Sequence, residues 1–182
     1  AGFTKKAYCA ILGSGVASII TCLLAVGFGY LFRIDGTVMQ WSESLLYAGF
    51  EHLNLTLIYQ ASIYLACSGA MIDLAVDISA ALDEVVEKKP DLSVREILQS
   101  GMNIGKSVVG SQTTTLLLAY MGSFIAVMMV YMAQGTPMIS ILNSKSIASE
   151  VLHTFVGCIG LVIVSPITAL ICSYIYKKKK EI

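Results

Sequence analysis

Charge is what this chain has least of. Asp, Glu, Lys and Arg together make up 13% of its 182 residues, and the two signs cancel to a formal net charge of zero. No global field draws a polyanion, so no nucleic acid is expected among its partners. Paired thiols and metal ligands are missing too. Cys9, Cys22, Cys67, Cys158 and Cys172 are odd in number and scattered without ligand spacing. They read as small buried hydrophobes. The two histidines, His52 and His153, stand near Glu51 and Glu150 at the ends of apolar spans. Four such groups could in principle hold a transition metal, but chance placement outweighs that reading, and neither a metal nor another cofactor is expected. The chain also lacks a nucleophile elbow, a Cys/His dyad and a His–carboxylate pair within a span, so it is not expected to be an enzyme.

What is present is hydrocarbon. Hydrophobic residues make up 56% of the chain and the mean hydropathy is +0.76, far from an average soluble domain. Four uncharged apolar spans, 7–32, 53–72, 112–132 and 151–176, each reach the roughly 20 residues that a helix needs to cross about 30 Å of hydrocarbon. Packing four such helices as the buried core of a soluble domain this small is geometrically implausible. Of the twelve Lys and Arg residues, ten lie before the first span, between the second and third, or after the fourth. Arg33 and Lys145 are the exceptions. The positive-inside bias therefore places both termini and the middle connection in the cytoplasm. The expectation is an all-α, polytopic helical membrane bundle of four transmembrane helices. A short amphipathic cytoplasmic helix would lie between helices two and three. The Lys177, Lys178, Lys179, Lys180 run would anchor the last helix against anionic lipid.

Residues 1–182 read as a single helical membrane domain. The start, Ala-Gly-Phe-Thr, has no initiator Met and no cleavable-signal pattern, so the chain reads as the C-terminal part of a longer membrane protein. Span one carries Gly13, Ser14, Gly15, Ala17 and Ser18, small residues that let another helix approach. Beyond it, Gly36 breaks the chain, Trp41 and Tyr47 suit a headgroup zone, and Ser42-Glu43 opens a short interfacial helix.

Span two is interrupted by acids. Its apolar character continues to Leu82 past Asp73 and Asp77. Ser62, Ala66, Gly69, Asp73, Asp77, Ala80 and Glu84 share about a third of the helix circumference. That face is uncomfortable in lipid, and a partner charge or water must offset it. After Pro90, Ser93-x-x-Glu96 is a capping box for the amphipathic helix, with Leu92, Val94, Ile97 and Leu98 on its apolar side and Gly101 as its stop. Gly101-Met-Asn-Ile-Gly-Lys-Ser107 imitates a phosphate-binding loop, but it is one residue short and no strand precedes it. Span three opens with Ser107, Gly110, Ser111, Gln112, Thr113, Thr114 and Thr115. Hydroxyls can bond back to helix carbonyls; Lys106 and Gln112 cannot be accounted for that way. If spans two and three are antiparallel neighbours, Lys106 lies at the depth of Asp73 and Asp77, and a buried cation–carboxylate cluster is expected. Span four has Gly157, Gly160 and Ser165-Pro166, where the proline removes one helix bond.

The segment 68–117 resembles the YibE/F-like family of bacterial multispan membrane proteins. The resemblance rests on Gly69-Ala-Met-Ile-Asp73-Leu-Ala75, Ile78-Ser-Ala-Ala-Leu82-Asp-Glu84, Pro90-Asp-Leu-Ser93 and Ser100-Gly-Met-Asn-Ile-Gly-Lys106. Gly110, Thr115-Leu116 and, in the last span, Gly157-Cys-Ile-Gly160 and Ser165-Pro-Ile-Thr168 extend it to nearly the whole chain. It implies a bacterial plasma membrane, more spans upstream and a permease-like role without naming a cargo. The family tends to carry an acid where this chain has Ser107, Asn where it has Thr114, and a small residue where it has Asp77.

Two functions follow. The first is a transporter or permease component whose ionisable site lies in the inner half of the membrane. Asp73 and Asp77 would be the acids, Lys106 the counter-charge, and Asn103, Gln112 and Thr114 neutral ligands. The second is a structural or partner subunit whose charges pin helices together. The expected partners are the lipid bilayer, a second copy or related membrane subunit, and a cytoplasmic protein docking on residues 93–100, from Ser93 to Ser100.

Overall fold

The computed structural model describes residues 4–39 and 42–178. Trp41 and the end of the lysine run, Lys179 and Lys180, fall outside the described residues. Four long helices dominate: α1, Lys5–Leu31; α3, Leu55–Lys88; α4, Val94–Ala133; and α6, Lys145–Lys178. Two short ones, α2 (Ser42–Tyr47) and α5 (Met138–Leu142), lie in the connections, and among the described residues there is no strand. All four long helices are apolar and long enough to cross a membrane.

At 1.5 Å per residue, the 34 residues of α3 and 40 of α4 extend about 51 and 60 Å, well past a hydrocarbon core of about 30 Å. They form an antiparallel hairpin. Its α4 start is fixed by the anticipated capping box: the Ser93 hydroxyl accepts from Glu96 N at 3.3 Å, and the Glu96 carboxylate accepts from Ser93 N at 2.7 Å. Gly101, expected to end a separate amphipathic helix, does not. α4 runs unbroken through it, because the missing side chain serves packing. A Cβ there would stand 2.8 Å from Ala169 Cβ and 3.0 Å from Leu82 Cδ1. The expected short helix is therefore the first two turns of a transmembrane-length one. α6 likewise continues through Pro166.

α6 and α3 pack on each other as the short diagonal of the bundle, with α1 against one side of the pair and α4 against the other. Close approach depends on small residues. Thr168 of α6 covers Gly13 of α1, Ser165 covers Gly105 of α4, and Thr21 of α1 covers Gly160 of α6. Where helices have no hydrophobic gradient to drive them together, such contacts supply the van der Waals attraction that does. One apolar cluster gathers Met71, Leu74, Ile78 and Leu82 of α3 with Leu161 and Val164 of α6 and Cys9 of α1. A smaller one joins Ala25, Tyr59, Ile63, Leu152 and Val156. The bundle thus has a lysine-rich end, where α1 begins, the α3–α4 connection turns and α6 finishes. Its far end holds α2 and α5.

The long helices differ in how far the rest of the chain covers them. Almost none of α4's most apolar stretch is covered by the rest of the chain, whereas half of α6's is. Leu118, Met121, Ile125 and Met129 point outward, as suits a lipid-facing helix. Two apolar grooves flank α6 at the far end. One, of about 680 Å³, lies against α4 and includes Leu117, Phe124, Val151 and Phe155. The other, of about 490 Å³, lies against α1 and includes Phe28, Phe32 and Leu152.

Candidate functional site

The hairpin register sets where the acids and the lysine fall. Gly105 meets Ile78, and Gly101 meets Leu82. In an antiparallel pair, Asp77 is then level with Lys106, Asp73 with Gly110, and Gly69 with Thr114. The depth anticipated for Lys106 matches Asp77, whereas Asp73 lies about one turn further in. The anticipated burial is not found. Asp73, Asp77, Asn103, Lys106 and Thr114 are exposed and Gln112 is half-exposed. No ion pair or side-chain hydrogen bond joins the six; among the described residues the salt bridge present is Lys88–Glu84, at 2.6 Å on the hairpin's exposed tip.

The reason lies in the periodicity of α3. Its buried stripe is Cys67, Met71, Leu74, Ala75, Ile78 and Leu82, and packing those bulky groups inward turns Gly69, Asp73, Asp77, Ala80 and Glu84 outward. Part of the hydroxyl run of α4 bonds back to its own helix, as anticipated, although Thr113 Oγ1 is buried without a partner. Thr114 donates to Gly110 O at 2.9 Å, Thr115 to Ser111 O at 3.0 Å and Ser107 to Asn103 O at 3.2 Å.

Polar groups converge at the far end instead. A cavity of about 270 Å³ between α3, α4 and α6 is lined by Tyr59, Ser62, Tyr120, Ser123, Glu150 and His153, among others. Each helix contributes through its own local logic. Tyr59, on the first turns of α3, donates to Ser149 O at 2.6 Å and so ties α3 to α6. Glu150 and His153 are three residues apart on α6 and therefore share a face. Tyr120 comes from α4, and its ring centroid is 4.9 Å from that of His153. Tyr59 meets the same imidazole edge-on, with centroids 6.3 Å apart.

The serines use their protons on their own helices: Ser62 donates to Tyr59 O at 2.7 Å, Ser123 to Tyr120 O at 2.8 Å and Ser149 to Ser146 O at 2.7 Å. The His153 imidazole meets the Ser62 backbone, but two atoms of the site find no partner. The Tyr120 hydroxyl and His153 Nε2 are buried without a hydrogen bond, and Tyr120 as a whole is 9% exposed. An unmet buried polar atom costs on the order of 1–3 kcal/mol. Tyr120 and Glu150 also line the large apolar groove against α4, so the polar cavity and a lipid-facing surface share a wall. Chemically, the site holds one carboxylate, one imidazole, two phenols and spare hydroxyl lone pairs. That set can bind and pass on a proton or hold a small polar group.

His153 and Glu150 were visible as neighbours in sequence, but His52 and Glu51 do not join them: they are exposed in the connection before α3, where His52 lies beside Phe50. Tyr59 and Tyr120 went unnoticed. Their signal was a tyrosine placed within an apolar stretch, where its hydroxyl needs a reason. A second unforeseen meeting is that of Cys9 and Cys172, whose thiols face each other between α1 and α6, close to Asp83 and Tyr176.

The sequence matches the family described as YibE/F-like protein over residues 1–178. No curated protein and no solved structure gives a significant match.

Proposed function

The chain belongs to the YibE/F-like family, and we propose that it is a permease component that moves protons, alone or with a small polar solute, through the cavity around His153. Glu150 takes up the proton, His153 relays it and the Tyr120 hydroxyl completes the path. Tyr59, held by Ser149, fixes the imidazole's position. The single observation behind this reading is the pair of unpartnered buried atoms, Tyr120 Oη and His153 Nε2, on one polar cavity. Ionisable groups inside a membrane bundle are costly and by default mark ion or proton routes. The reading moves the ionisable site from the expected inner half to the far end, and it includes no enzymatic step. The lysine distribution supports both termini and the α3–α4 connection lying in the cytoplasm, and the family resemblance supports a bacterial plasma membrane. There the exposed Arg95, Glu96 and Gln99 are available to a soluble partner.

The test is proton flux in proteoliposomes loaded with a pH-sensitive dye under an imposed potential. The wild type should acidify the lumen faster than protein-free vesicles, and His153→Ala and Glu150→Gln should each cut the rate at least about tenfold, a typical loss for a positioned proton-transfer group. Wild-type flux no faster than that of empty vesicles would sink the reading. The second reading, a structural or partner subunit, is favoured by one specific feature: the outward polar face of α3 and α4.

A further inference from the structure

Measured from the lysines that begin α1, that outward face lies level with α1's own apolar span. Ser165 of α6 covers Gly105, beside Ile78, while Thr168, one turn along α6, covers Gly13 of α1. Gly13 stands seven residues beyond Lys6, about 10 Å along the helix at 1.5 Å per residue. Ser165 lies three residues further from that end than Thr168, so Asp77 and Lys106 are about 15 Å inward of the charges that begin α1, and Asp73 a further 6 Å or so. All three are exposed. Charged groups at such depths face protein or water, almost never acyl chains. The surface around them is cut for close approach, since a Cβ added at Gly69 or Gly110 would meet nothing within 4 Å.

We infer that a second copy of this chain covers the face, in a two-fold dimer with Asp77 of each copy against Lys106 of the other. The argument is charge complementarity combined with depth. α3 carries only acids between its start and Lys88, and α4 carries Lys106 as its only charge after Glu96. A two-fold axis along the membrane normal keeps every residue at its own depth. It brings α3 of one copy to α4 of the other and makes each contact twice. Because Asp77 and Lys106 are already level within the hairpin, the rotation produces two equivalent ion pairs. Asp73 then faces the open Gly110, and Gly69 lies near Thr114, whose small side chains admit a second helix. A second copy supplies the matching charge at the matching height without any further requirement. This inference is independent of proton movement at His153.

The experiment counts photobleaching steps of the singly labelled chain in lipid bilayers at low protein density. Two-step traces should dominate for the wild type. Asp77→Lys and Lys106→Asp should each lower the association constant about tenfold, and the double variant should restore the wild-type distribution. Thermal unfolding of each variant separates loss of pairing from loss of fold. Should the single swaps fail to fold, a milder pair decides. Ala80→Cys on one tagged copy and Asn103→Cys on a differently tagged copy should give a mixed disulfide-linked dimer on oxidation. A monomeric wild type, single swaps that still pair, a double swap that stays monomeric, or the lack of the mixed product would each overturn the inference.

Discussion

The two ends of the bundle solve the same problem with opposite materials. At the lysine-rich end, glycines sit under Thr168, Ala169 and Ser165, and the helices approach until backbone meets side chain. At the far end, two tyrosines and a histidine stand between α3, α4 and α6, and the space they hold open is a polar cavity. The difference teaches that α6 plays two roles: an interlocking spine below, and one wall of a site above.

The sharpest way to break that contrast is to overfill the spine. Gly105→Leu places a branched side chain into Ser165 and Ile78, and overpacking of this kind costs about 3 kcal/mol. Detergent-solubilised protein should show a markedly lower unfolding midpoint. An unchanged midpoint would mean the interlock is not where stability resides. At the far end the two tyrosines should separate. Tyr59→Phe removes a bond to Ser149 O that spans two helices, costing about 1 kcal/mol, while Tyr120→Phe removes a hydroxyl with no partner and should leave the midpoint unchanged or raised. If Tyr120→Phe is the more damaging of the two, its hydroxyl is bonded and the cavity has been misjudged. The smallest effect belongs to Gly122→Leu on the uncovered part of α4, where a Cβ meets nothing within 4 Å; a shift within about 0.5 kcal/mol is expected, as for substitutions away from packed sites.

Much of this molecule was legible residue by residue. Span positions followed from apolar length, and the start of α4 from Ser93 and Glu96. The small residues of span one behaved as anticipated where they pack: Gly13, Ser14 and Ala17 are buried, although Gly15 faces open space. Gly101 shows the limit. A glycine after an amphipathic segment is a local signal for a helix end, and the same glycine under Ala169 is a tertiary device; only the neighbour distinguishes them. Asp73 and Asp77 show a second limit. Their shared face was correctly drawn, but its direction was not, because the opposite stripe of Met71, Leu74 and Ile78 claimed the interior. The cavity was harder still, since Tyr59, Tyr120 and His153 are far apart in sequence.

Hydropathy and length alone decided that this chain makes membrane-length helices, since each helix satisfies its own backbone wherever its neighbours lie. Which face of each helix turns inward, and which tyrosine meets which histidine, came only with the assembled bundle. In hydrocarbon the apolar faces are nearly equivalent, so the choice falls to shape: small residues where helices touch, and polar ones where they do not.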